Sequence, residues 1–96
     1  VAHLVIHQDK EFVFNKLTEH GAYLSDSSAL LIVKRRGINL PMVFRQYSGG
    51  IVVKVDNFPI FLEEDIIEEV LLEIAMWFES VELFNFKRRS FPHNPL

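Results

Sequence analysis

Cysteine is absent from the 96 residues, which removes disulfides, thiolate nucleophiles, cysteine-ligated zinc and iron–sulfur clusters from consideration. Long apolar runs are missing too. The longest, residues 29–33 and 74–78, are five residues each, against the roughly 20 that a membrane-crossing helix needs. Glycine is scarce, at four residues. No G-x-G-x-x-G occurs, and Gly49-Gly50 is not followed by the Lys-Ser/Thr of a phosphate-binding loop. Ser48 sits in Tyr-Ser-Gly-Gly without the preceding Gly-X of a nucleophile elbow, so it reads as a turn serine. Residues 1–6 are apolar but carry no basic leader and fall short of the roughly 7 to 15 apolar residues of a secretory signal. A cytoplasmic chain is the expectation.

What is present is a composition of 49% hydrophobic, 12% aromatic and 24% charged residues, too apolar for a disordered chain and with too many interspersed charges for a membrane span. A chain of this length supports one core, expected over residues 1–89 with a tail at 90–96, where two prolines and an asparagine gather.

Periodicity places the elements. Residues 2–7 read as a short strand, with Leu4 and Ile6 on one face. Asp9 is an N-cap for a helix over residues 10–20, with Phe12, Val13 and Leu17 at helical spacing and Gly21 as its left-handed stop. The Ser-Asp-Ser-Ser stretch within 22–28 reads as a turn, and 29–36 as a strand covered on both faces. Arg36-Gly37 or the residues just after reverse the chain, and strands follow over 40–47 and 51–56, joined by Ser48-Gly49-Gly50. Pro41 puts the first of these at a sheet edge or close to its own start. Asn57-Phe58-Pro59 ends the meander. A helix over 63–79 presents Ile66, Ile67, Val70, Leu71, Ile74, Trp77 and Phe78 at spacings of three and four, and a last strand is expected over 81–87. The order β-α-β-β-β-α-β predicts an α+β domain: an antiparallel sheet, three strands of it a meander, packed against two helices.

Charge is segregated along the chain. Residues 1–54 carry seven basic and four acidic groups, residues 55–86 nine acidic and no basic groups, and residues 87–96 three basic groups. The macrodipole accounts for Glu63, Glu64 and Asp65 at the start of the second helix. It does not account for Glu68, Glu69, Glu73 and Glu79. Glu64 with Glu68, and Glu69 with Glu73, are like-charge i, i+4 pairs, each costing a few tenths of a kcal/mol unless compensated. Leu72 and Met76 lie off the core stripe of the same helix. A solvated polar face explains such acids, and so does a docking surface in which apolar residues meet a partner inside a charged rim. The candidate surface is Glu68, Glu69, Leu72, Glu73, Met76 and Trp77.

Two basic clusters, Lys34, Arg35 and Arg36 and then Lys87, Arg88 and Arg89, are candidate phosphate contacts, the second flanked by Phe86 and Phe91 as in stacking surfaces. Against nucleic acid stands a sequence pI of about 5.8. Equally, these groups serve to offset the acidic helix or to keep a strand edge soluble. His3 and His7 fall on one side of a strand about 13 Å apart, too far to share a metal. His20 suits a helix C-terminus, and His93 lies in the tail. Neither a cofactor nor a metal is expected, and no catalytic residue stands out. The order of elements in a small acidic domain resembles, in outline, the chaperones that escort bacterial secretion substrates. The expected function is a non-catalytic protein-interaction domain, a homodimer or a subunit of a small assembly, using the acidic second helix or a sheet edge. The alternative is a nucleic-acid regulator acting through the two basic clusters.

Overall fold

A computed structural model describes residues 2–56 and 64–84. Within them the chain forms β1 (His3–Ile6), α1 (Lys10–Glu19), β2 (Tyr23–Leu24), β3 (Ser28–Arg35), β4 (Ile38–Tyr47), β5 (Gly50–Val55), α2 (Glu64–Ala75) and β6 (Val81–Phe84). The strands make one antiparallel sheet in the spatial order β2-β3-β4-β5-β1-β6. The fold is α+β, with the expected meander at its centre and the two terminal strands added beside β5.

Local chemistry sets the boundaries. The Asp9 carboxylate accepts the Phe12 N–H at 3.2 Å, capping α1. His20 is its C-cap, and Gly21, at φ +90°, takes the left-handed position that ends it. Arg35 pairs with Ile38, so the β3–β4 reversal is a two-residue loop, Arg36-Gly37, with both residues at positive φ (54° and 77°). That backbone matches the twist of a hairpin. Pro41 is in the middle of the sheet order but near the start of its strand. The β4–β5 pairing begins one residue later, at Met42 with Val55, and the Pro41 carbonyl accepts the Asp56 N–H. A residue without an N–H is tolerated there because the ladder to β5 ends at this position, where only the carbonyl half of the Pro41–Asp56 pair is bonded.

The register puts Leu4 and Ile6, Ala29 and Leu31, Leu40, Met42 and Phe44, and Ile51, Val53 and Val55 on one side of the sheet, all buried. Val13, Phe14 and Leu17 of α1 pack into the same cluster, as do Ile66, Ile67, Val70, Leu71 and Ile74 of α2, with Phe78 just past its end. Each of these α2 side chains contributes about 1.5–3 kcal/mol by leaving water, before conformational entropy is charged against it. Both helices therefore lie on one face of the sheet.

Four expectations are corrected. Strand β3 is covered on one face only: burial alternates along it, and Ile32 is 51% exposed. Its continuous apolar run is shared between the core and the opposite face, a division that hydrophobicity alone does not reveal. The segment read as a turn contains β2, whose Tyr23 and Leu24 pair with Leu30 and Ala29. In α1 it is Phe14 that is buried, whereas Phe12 lies exposed. Helix α2 ends at Ala75, short of Glu79, because Trp77 and Phe78 donate to the carbonyls of Ile74 and Ala75, closing tighter i→i+3 turns. Residues 85–87 of the expected last strand and the tail at 90–96 lie outside the described residues.

Candidate interaction surface

Of the residues proposed from sequence on α2, two are open to a partner. Leu72 and Met76, one turn apart, are 48% and 83% exposed, on the side of the helix away from the sheet. Glu68 is not with them. It is 6% exposed, because it shares a flank of the helix with buried Leu71 and half-buried Ala75 instead of the outer stripe. Trp77 is half-buried, and its indole lies flat on the His20 ring, with centroids 3.6 Å apart and planes 9° from parallel.

Glu69 and Glu73 have partners inside the molecule. Arg35, on the helix-facing side of β3, donates to the Glu73 carboxylate and stands 3.9 Å from that of Glu69, while Arg36 reaches Glu69 at 3.5 Å. The compensation required by the like-charge pair Glu69–Glu73 comes from the β3–β4 hairpin. Two of the three cations of that basic cluster are thus committed to α2, and Lys34 makes no ion pair among the described residues. Lys87, Arg88 and Arg89 lie outside the described residues.

The described histidines are structural fittings, and His93 lies outside the described residues. His7 Nε2 lies 2.7 Å from Glu82 Oε1, tying β1 to β6, and the His3 ring stacks on Phe84 at 5.0 Å. Gln8 accepts the N–H groups of Glu79 and Ser80 at the entry to β6. Among the described residues no three His, Cys, Asp or Glu side chains gather as metal ligands, and no helix is long and apolar enough to cross a membrane. An open groove between α1 and the β2–β3 turn is lined by Lys10, Phe14, Leu24 and Asp26 among others. Its cation is in use, since Lys10 Nζ donates to the Asp26 carbonyl at 3.0 Å and lies over the Phe14 ring.

The largest feature that sequence reasoning missed is the other side of the sheet, over which no helix lies among the described residues. The register aligns Tyr23, Leu30, Val43 and Lys54 in one row across four strands, and Arg45, Val52, Val5 and Glu82 in the next. Ile32 lies opposite Pro41 beside them. The centre is aliphatic, with Val43 itself only 8% exposed. At the margin Lys34, Arg45 and Lys54 make no ion pair or side-chain hydrogen bond among the described residues, while the acids on this face are Glu82, which faces His7, and Asp56 at the end of β5. Tyr47 and Tyr23 stand exposed at its borders. The signal that would have found it is the apolar character of the outward positions 5, 30, 32, 43 and 52, which an amphipathic strand normally gives to polar residues. A solvated sheet face has no use for them.

The molecule is therefore two-sided, with a carboxylate-rich helix layer and an aliphatic sheet face edged with cations. Comparison with protein-family models, with curated proteins and with solved structures returns no match.

Proposed function

We propose that the chain is a non-catalytic, cytoplasmic protein-interaction domain whose docking surface is the sheet face opposite the two helices, and whose partner presents apolar side chains ringed by carboxylates. The observation that carries this reading is the pairing of outward aliphatic residues that keep exposed surface, Leu30, Ile32 and Val52, with three cations that make no ion pair among the described residues. Burying the former supplies affinity, and the latter select an acidic rim and steer the encounter. Nucleic acid is a poorer fit. A base-stacking platform puts aromatic rings at the centre of the sheet, and here the centre is aliphatic with both tyrosines at the border.

A photocrosslinker tests this. With Ile32 replaced by benzoylphenylalanine, irradiation of the folded protein in its own cell extract is expected to give a discrete adduct, lost when Lys54 and Arg45 are changed to Glu. The same probe at Thr18, on the exposed side of α1, is expected to give none. Equal labelling from both positions, or none from Ile32, overturns the reading.

A further inference from the structure

The chain carries on its opposite side a surface of the chemistry that the sheet face requires. Leu72 and Met76 project from the outer side of α2, with Asp65 and Glu69 on the same stripe and Glu73 beside it. Arg35 and Arg36 are two cations against three carboxylates, Glu64, Glu69 and Glu73, which leaves that side acidic. We infer that the partner of the sheet face is a second copy of this chain, docked through the outer side of its α2. This rests on the reading of the sheet face given above and adds the identity of the occupant.

Geometry permits it. Twelve residues of helix are about 18 Å long, and six strands spaced about 4.8 Å apart make a sheet about 24 Å across, so one helix lies within the width of the face. A helix on a sheet is also the packing that the covered face already uses. Charge decides between the available arrangements. Sheet face against sheet face sets Lys34, Arg45 and Lys54 against their own copies, and α2 against α2 brings carboxylates together. Both symmetric dimers are repulsive at the rim, whereas helix on sheet pairs opposite signs. The chain's own residues 85–96 hold Lys87, Arg88 and Arg89 and no acidic side chain, so as an occupant they add like charge.

A contact between two different surfaces does not close on itself as a two-fold dimer does. Each copy keeps one free sheet face and one free helix, so association proceeds to rings or open chains. Met76→Lys and Lys54→Glu break the contact from opposite sides. Met76 is the most exposed large apolar residue among the described residues, and a cation at that end of α2 suits the helix dipole, so the first change spares the fold.

The experiment is light scattering on the purified chain at low salt over a range of concentrations. The wild type is expected to grow beyond twice 11.2 kDa as concentration rises, and to shrink in high salt. Each variant, folded by circular dichroism, is expected to need at least tenfold more protein to associate. Mixed one to one, the two variants are expected to form a species of two chains and stop, because each retains one intact surface. A wild type at 11.2 kDa throughout, a mass that saturates at two chains, or variants that fail to rescue each other overturns the inference. The Ile32 crosslink separates this failure from that of the sheet-face reading: an adduct with a different protein keeps the docking surface and discards the second copy.

Discussion

The Trp77 indole and the His20 imidazole are stacked face to face, 3.6 Å between centroids, and join the end of α1 to the turn that closes α2. Trp77 is the only tryptophan in the chain, so its emission reports on this junction, where Phe78 also meets it edge-on. Stacked ring pairs are worth about 0.5–1.5 kcal/mol beyond the area they bury. His20→Ala is therefore expected to shift and brighten the emission and to lower stability by about 1 kcal/mol, or about 4–8 °C in melting temperature for a domain of this size. Unchanged emission would mean that the rings do not meet in solution.

The second prediction concerns Arg35, which serves two carboxylates from a side chain only a quarter exposed. Removing it does more than delete an attraction, since Glu69 and Glu73 are left facing each other one turn apart on α2. Arg35→Met is expected to cost about 1 kcal/mol in urea unfolding at low salt. Glu73→Gln, which relieves that repulsion while losing one pair, is expected to cost less than half as much. The double-mutant coupling should shrink in 1 M salt, where the screening length is about 3 Å. Equal costs for the two changes would show that the like-charge pair matters little.

Two adjacent glycines are expected to behave oppositely. Gly50 has φ +138°, and a Cβ there would lie 2.9 Å from the Ile6 carbonyl oxygen, backbone that cannot swing aside. It is where the β4–β5 turn passes close against β1. A Cβ on Gly49 meets nothing within 4 Å. Gly50→Ala is thus expected to cost about 2 kcal/mol. Gly49→Ala is expected to lie within about 0.5 kcal/mol of wild type, tending to stabilise by restricting the unfolded chain. Chemical denaturation of the pair, read at equal slope, checks both signs.

Where a signal was local, the sequence carried it. The Asp9 cap, the Gly21 stop and the α2 stripe from Ile66 to Ile74 all follow from spacing and side-chain chemistry within a turn or two of chain. The meander followed because Arg36-Gly37 and Ser48-Gly49 are short reversals between apolar strands. What the sequence withheld was pairing across distance. That Arg35 would neutralise Glu69 and Glu73 depends on which face of β3 turns towards α2, a matter of one residue in register. Glu68 and Glu69 are neighbours in sequence, yet a 100° step puts one on a buried flank and the other beside a hairpin arginine. The open sheet face was illegible for a related reason. The run 29–33 looks the same whether a strand is covered on both sides or exposes half its apolar residues, and only the placement of both helices on one side decides it.

That pairing also bears on the nucleic-acid alternative. Phosphate binding through the β3–β4 hairpin requires Arg35 and Arg36 to leave Glu69 and Glu73, giving up ion pairs on an acidic helix that itself repels phosphate. Lys34 alone supplies too little charge to hold a polyanion at physiological salt, where affinity falls steeply with each contact missing. Anisotropy of a labelled single-stranded oligonucleotide and of a labelled duplex is expected to stay flat up to about 100 μM protein, in the range of ordinary non-specific affinity. The same flat trace is expected for Glu69→Gln/Glu73→Gln, which frees both arginines, only if the remaining acids of α2 still dominate the local field. Salt-sensitive binding that appears in this double variant and is absent from the wild type would show that the helix carboxylates hold the hairpin away from phosphate. Binding already present in the wild type would return the basic clusters to the first rank of candidates.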